Sequence, residues 1–383
     1  MPADPDRVAE TSECESESPS VSERAETSAS RRRVLSATAA GSVTALAGCT
    51  ELLSSGGGGD PLRVSVWSGN YADRFEESVV PRYEDEFDAE IEIQRGWNDI
   101  LSNIQTAPDD DPPYDVTITE GNFYYYGRQD DLFHEIRTEN VPNADELIDH
   151  YAEFRTTEYG MPVDGAPCTI VHREDMDFDP DSWADLSSTA VEESNGIGVD
   201  TGFWWYPMYA AAVGMDDAEL GEEMHDADLH DDVLETVRDW PIESWASSGE
   251  DVWQAFQNDV IDVAQWYYEQ TAYDIDSYDG LTHTMPDETT GYLNHWCVVK
   301  GTDKRDRAEE FINFLMDAEV QTAWSEEMPT LFCNENTEYA GDLAEDLPSN
   351  SEEAETIAFP DWEFLADHQG DLSDEFTEIQ RSS

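Results

Sequence analysis

Apolar and polar residues alternate along 62–67, LRVSVW, and this period of two predicts a strand ending in the loop Ser68-Gly69-Asn70-Tyr71. From 71 to 87 the period lengthens. Phe75, Val79, Val80 and Tyr83 fall along one side of a helix, with a break marked by Pro81. Ile91-Glu92-Ile93 returns to alternation. Ile100, Leu101 and Ile104 give 97–105 the inward stripe of a short helix, and after a loop at 109–113 the run YDVTI at 114–118 is a third strand. The order βαβαβ predicts a parallel sheet with right-handed crossovers. Ligands of such sheets sit beyond the carboxyl ends of the strands, which puts 67–71 and 119–126 on one rim.

Further along, 160–163 and 169–172 predict two extended segments that cross to a second body. Pro180-Asp181-Ser182-Trp183-Ala184-Asp185-Leu186 reads as a capped short helix, with Ser182 or Asp181 at the N-cap. A strand is expected at 196–199, then a helix at 203–213, opened by Phe203-Trp204-Trp205-Tyr206 and closed by Gly214. The stretch 215–232 reads as an acidic surface insert. Helices at 233–240 and 252–256 precede a strand at 260–266, followed by Tyr267-Tyr268-Glu269-Gln270. The aromatic and β-branched run 292–299 predicts a strand that stops at Lys300-Gly301. The helix after it carries Ala308, Phe311, Ile312, Leu315 and Ala323 on or near one face. The acidic tail 345–383, with scattered aromatics, is expected along the second body.

Length and charge narrow the function. The 383 residues suffice for two domains. With 19 Lys and Arg against 89 Asp and Glu, the formal charge of −70 excludes a general nucleic-acid surface, which needs clustered bases. The 12 Trp, 16 Tyr and 14 Phe argue against wholesale disorder. An acidic surface over an aromatic core fits a halophilic protein, soluble where salt screens its charges. Any single acid is therefore weak evidence for a cation site.

The first 29 residues are polar and Ser/Glu-rich. Ser30-Arg31-Arg32-Arg33-Val34-Leu35 has the form of a twin-arginine export signal. The apolar run 34–48 is too short to span a bilayer comfortably and ends in Leu46-Ala47-Gly48-Cys49, which resembles a lipoprotein processing box. The expectation is a leader and signal over 1–48, then a lipidated Cys49 and a Gly/Ser tether over 49–61. Cys168, Cys297 and Cys333 remain in the body, allowing at most one disulfide there. No CxxC or His-rich spacing suggests zinc, and no GxGxxG or GxxxxGK[ST] supports a nucleotide. GxSxG and HExxH are absent as well, although carboxylate pairs carry no information among so many acids.

Five features in this order resemble the extracellular solute-binding proteins of ABC importers: a first strand ending in an aromatic loop, an I-x-I strand, an Asp-Val strand with a loop after it, the P-x-S-W-x-D-L element, and the strand, Lys-Gly turn and Phe-Ile-Asn-Phe-Leu helix of 291–324. The resemblance covers about 62–334 and looks closest to the spermidine/putrescine-binding branch. It implies an α/β, two-lobed periplasmic-binding-protein-like fold of type II, each lobe a mainly parallel sheet flanked by helices, joined by a hinge. Lobe 1 would comprise 62–163 and 270–318, lobe 2 164–269 and 319–383. The implied protein is not an enzyme and uses no cofactor. It would be lipid-anchored at the extracellular face of the cell membrane, capturing a small solute for ABC permease and ATPase subunits, with no nucleic-acid partner.

The resemblance also suggests where solute is held. Trp67 and Tyr71 match the family's first-loop aromatics, and Glu120 and Asn122 occupy its post-strand loop, where the family has small hydroxyl and aromatic residues. Tyr124, Trp204, Trp205, Trp266, Tyr268 and Trp296 extend an aromatic wall suited to ammonium cations or sugars. Glu269 is a candidate ammonium partner. His295 stands where the polyamine branch often has Asp. The adjacent Tyr267 and Tyr268 raise the ferric-iron-binding branch as an alternative, since phenolates suit a hard ion. Two other classes remain: a secreted hydrolase, and a structural surface lipoprotein, which would bury the aromatics of 204–206 and 266–268 in separate cores.

Overall fold

Three short strands, β1 (Leu62–Trp67), β2 (Ile91–Gly96) and β3 (Val116–Glu120), run parallel in the order β2-β1-β3. A long strand, β4 (Met161–Arg173), leads to β5 (Ile197–Asp200), β6 (Ile242–Ala246) and β7 (Val263–Tyr267), which form a second parallel trio in the order β7-β5-β6. The short β8 (Leu281–Thr284) pairs with β4, and β9 (Thr289–Val298) lies antiparallel to both β3 and β4. The computed structural model describes residues 60–154, 157–215, 219–341 and 343–382. The twin-arginine motif, Cys49 and the Gly/Ser tether lie outside the described residues. No described helix is long and apolar enough to cross a membrane.

Buried apolar side chains gather into two clusters. One holds β1, β3 and the rings of Phe75, Tyr83, Trp296, Phe311 and Trp324; the other holds β5, β7, Trp183, Tyr209, Trp240 and Phe376. β4 passes from the first to the second, with Met161 and Val163 in one and Cys168, Ile170 and Val171 in the other. This mixed α/β architecture is the solute-binding-protein fold expected above. Each parallel trio, however, meets an antiparallel strand at its inner edge. The segments expected as two at 160–172 are one 13-residue strand, whose register against β9 shifts between Pro162 and Asp164. Gly165 permits the crossing: a Cβ there would lie 2.0 Å from the carbonyl oxygen of Tyr292.

Other expectations shift for identifiable reasons. The helix at 71–87 is two, Asn70–Ser78 and Val80–Phe87, because Pro81 cannot donate to the preceding turn and instead sits in the first turn of the second helix. The supposed surface insert contributes Met224, fully buried, to the second cluster. Residues 320–357 were expected on the second body, yet Val320, Trp324, Leu331, Cys333, Leu347 and Ile357 pack in the first cluster. The last helix, Trp362–Ser382, does pack in the second, through Leu365, Leu372, Phe376 and Ile379. Ser182 caps the turn Trp183–Ser187 with a reciprocal capping box to Asp185. Cys168, Cys297 and Cys333 are free and buried.

Candidate functional site

Several strands end, and several helices begin, at one cavity of about 500 Å³. Trp67 closes β1, and Ser68 to Tyr71 turn from it into a helix with Gly69 at φ 81°. That left-handed backbone suits Gly alone among the loop's residues. Glu120 ends β3 immediately before the helix Gly121–Gln129, and Tyr267 ends β7 immediately before the helix Tyr268–Asp274. From β9 come Tyr292 and Asn294. Ser248 caps the helix Gly249–Gln257, which contributes Trp253. Both parallel trios thus offer their carboxyl ends to the same space, the position such sheets provide for ligands.

The wall is largely aromatic. Trp97 stacks on Trp67 with ring centres 5.8 Å apart, and Phe123 lies 6.1 Å from Trp67. Opposite, Tyr206 and Tyr267 meet edge to face at 5.5 Å, Tyr267 and Tyr292 at 5.7 Å, and Trp253 stacks on Tyr278 at 5.1 Å. The Trp67 indole N–H donates to Asn294 Oδ1 at 2.9 Å, tying β1 to β9 across β3.

The polar arrangement repeats one motif four times. Tyr71 donates its hydroxyl to Asp164 at 3.0 Å, Tyr267 to Asp200 at 2.5 Å, Tyr292 to Glu269 at 2.9 Å, and Tyr206 to Glu120. All four tyrosines line the cavity, as do Glu120 and Glu269; Asp164 and Asp200 lie behind it. Asp164 also accepts from Asn294 Nδ2 at 2.7 Å and Trp296 Nε1 at 3.0 Å. Burial pushes Asp164 and Asp200 up to about 6 and Glu269 up to about 7. Burial first, and the adjacent carboxylate second, hold the four tyrosines well above the ordinary phenol range, so their protons stay in place.

Buried acids elsewhere are treated differently. Asp115 pairs with Arg63 at 3.2 Å and Lys304 at 2.9 Å, and Glu309 with Arg137 at 2.6 Å and Arg305 at 3.2 Å. Among the described residues lining the cavity there is no Lys, Arg or His. Asp164, Asp200 and Glu269 meet neutral donors, so the site keeps a net negative charge inside an aromatic enclosure.

Of the residues expected to hold solute, Trp67, Tyr71, Glu120 and Glu269 line this cavity. The others lie elsewhere. Tyr124 stacks on His295 at 4.3 Å, both buried beneath the helix that follows β3. Trp296 is sealed between Phe75 and Phe311. Trp205 packs against Trp362 at 4.8 Å, and Trp204 lies edge-on to Trp205 and Trp362. Trp266 is buried and donates to Gln270, and Tyr268 turns into the first cluster to donate to Asp346. Asn122 is absent from the lining, although Glu120 and Phe123 belong to it. Tyr267 and Tyr268, the suggested iron pair, therefore point to different partners, Asp200 and Asp346. Among the described residues no group of three or more His, Cys, Asp or Glu could hold a metal ion. Trp97, Phe203, Tyr206, Trp253, Tyr278, Tyr292 and Asn294 line the cavity without having been singled out as site residues. Strand alternation carried the signal on β9, where Tyr292 and Asn294 share a face and His295 has the other.

The model of a bacterial extracellular solute-binding protein family matches residues 71–347. The chain belongs to that family. Bacterial extracellular solute-binding proteins are receptors of ABC transporters rather than enzymes; they bind small solutes outside the cell and deliver them to a permease. Solved structures share the fold. An ABC transporter protein from Clostridium perfringens is 19% identical, with a TM-score of 0.69 over 83% of this chain and 99% of its own. The spermidine/putrescine substrate-binding protein PotD from Streptococcus pneumoniae, in complex with calcium and HEPES, is 14% identical, with a TM-score of 0.70 over 84% and 98%. The Atu4243-GABA receptor is 18% identical, with a TM-score of 0.67 over 85% and 98%. No curated protein sequence matches the chain.

Proposed function

We propose that this solute-binding protein captures a small amine cation, with the aromatic cavity closing around its ammonium group. The reading rests on one observation: Asp164, Asp200 and Glu269 at the cavity accept from tyrosine, asparagine, tryptophan and backbone donors and from no cation, whereas the buried Asp115 and Glu309 are neutralised by Arg and Lys. A bound ammonium supplies the missing charge and gains cation–π contacts with Trp67, Trp97 and the facing tyrosines, each worth about 0.5–2 kcal/mol. Structural neighbours described as spermidine/putrescine and GABA receptors bear on the same solute class. In this reading Trp67, Tyr71, Glu120 and Glu269 touch solute, and two lobes built on the two apolar clusters close by bending where β4 and β9 cross between them.

The same proposal has the chain exported folded through the twin-arginine route and held at the outer membrane face by lipid on Cys49, in a high-salt setting. Thermal unfolding of the mature protein in concentrated KCl, with putrescine, spermidine, glycine betaine, maltose and ferric citrate, tests the solute. A ligand that binds only the folded state raises the midpoint. The expected result is a rise with one or more of the amines. A rise with maltose or ferric citrate alone, or with none of the five, overturns the reading. Expression of Cys49→Ala tests the anchor: the variant should leave the membrane fraction for the medium.

A further inference from the structure

Consecutive residues of the cavity wall, Trp67 to Tyr71, form the loop between β1 and the first helix, with a ring at each end. Both rings are held from behind by one side chain that does not line the cavity. Asp164 is fully buried on β4, directly opposite Asn294 on β9. Its Oδ2 accepts the Tyr71 hydroxyl at 3.0 Å and an Asn294 amide N–H at 2.7 Å, and its Oδ1 accepts the Trp296 indole N–H at 3.0 Å. With its nitrogen turned to this carboxylate, Asn294 faces its oxygen the other way, where it receives the Trp67 indole N–H at 2.9 Å. The chain of bonds therefore has a direction: an acceptor at 164 fixes the amide, and the amide presents an acceptor to Trp67. We infer that Asp164 is a positioning residue for solute binding, which clamps both ends of the 67–71 loop and, through Asn294, sets the plane of the Trp67 ring against which the ammonium rests. The inference deepens the amine reading and rests on it for the solute probe.

Because each link has a polarity, a change of atoms at 164 reaches Trp67 without touching it. Trp296 is sealed between Phe75 and Phe311 and has no room to turn. In Asp164→Asn the amide oxygen therefore takes the place of Oδ1 and the amide nitrogen that of Oδ2. Tyr71 adapts by accepting where it had donated. Asn294 has no such freedom: as it stands its nitrogen meets a nitrogen, and turned over it presents that nitrogen to the Trp67 N–H. Either way two donors oppose each other. Trp67, half-buried in the cavity wall, is the partner able to give way. Adding Asn294→Asp to Asp164→Asn exchanges carboxylate and amide between the two strands. The carboxylate, now on β9, accepts from both sides, and every donor is again satisfied.

The indole N–H resonance of Trp67, read by NMR of the tryptophan-labelled protein and identified by its loss in Trp67→Phe, reports on the clamp without any solute. It should move in Asp164→Asn and return in the exchanged pair. A resonance unmoved in folded Asp164→Asn, or one still displaced in the exchanged pair, overturns the inference. Asn294→Ala breaks the same chain with the net charge unchanged, and serves should Asp164→Asn not fold. It should move the resonance and, by calorimetric titration, weaken putrescine binding by roughly 3- to 30-fold, the equivalent of one misplaced cation–π contact. In the Trp67→Phe background the same substitution should cost less than about twofold, because its effect passes through the ring. The full loss in that background makes Asn294 a solute contact in its own right and overturns the inference. A wild type that ignores putrescine leaves the resonance to decide: its response to Asp164→Asn and to the exchanged pair upholds the clamp and places the failure in the amine reading.

Discussion

Trp97 stands half in solvent, 50% exposed, yet lies flat on Trp67 at the cavity edge. Its removal costs the fold little and the solute much. Trp97→Ala should leave the unfolding midpoint of the free protein nearly unchanged and weaken amine binding by roughly 3- to 30-fold, the equivalent of one cation–π contact. Glu269 gives a pH signature. Its carboxyl, raised by burial to about 7, is half protonated near neutrality in the free protein. Amine binding should strengthen as pH rises from 6 to 8 and should release a proton near pH 7, read as a dependence of calorimetric heat on buffer ionisation enthalpy. The stability linkage has the opposite sense. A carboxyl whose folded pKa exceeds its unfolded value stabilises the fold below about 4.5, and that contribution is lost as pH climbs through about 7. Glu269→Gln should therefore raise the stability of the free protein above pH 7, by on the order of 1–3 kcal/mol, and abolish the proton release. At this scale the sequence was legible in residue type but not in side-chain direction. At the end of β7 the residues singled out for an organic solute, Trp266 in the strand and Tyr268 in the helix after it, flank the one that reaches the cavity, Tyr267; on β9, His295 is one step from Asn294. Strand side chains reverse with every residue, so a one-position slip moves a ring from cleft to core.

Strands and helices were the most readable level. Their existence followed from hydrophobic period, and the deviations came from packing that no local window contains. The run 160–172 looked like two segments because Pro162, Pro167 and Gly165 interrupt its apolar pattern, but β9 pairs with it and keeps it continuous. The shift of register at Pro162 and Asp164 is the kind of irregularity that redirects a side chain, and here it accompanies a carboxylate turned toward Tyr71, Asn294 and Trp296. At Gly165 two backbones approach closely. Gly165→Ala should lower the free energy of unfolding by roughly 1–3 kcal/mol, measured by denaturant melts, because the obstacle is main chain and cannot rotate away. The packing of 320–357 in the first cluster had no local signature. Its apolar residues fit either body, and only the pairing of 331–332 with β4 and of 357–358 with β9 assigns them.

For the whole molecule, a formal charge of −70 sets the terms. Mutual repulsion among surface acids opposes the compact state wherever counterions are sparse. The thermal midpoint should therefore rise steeply between 0.1 and 3 M KCl, followed by circular dichroism; a flat response would remove the halophilic reading. The receptor architecture was legible because five ordered features spanned the chain, while the cavity's four tyrosine–carboxylate pairs were not, since three of them join residues at least 67 positions apart.

The strands shared by the two clusters also bear on how the protein comes apart. β4 and β9 run through both, pairing with each other and, between them, with the inner strand of each parallel trio. Neither half owns a complete sheet without them, so damage begun in one is inherited by the other. Differential scanning calorimetry should record one endotherm in place of two, and a protease that nicks either half should release no resistant fragment of the other.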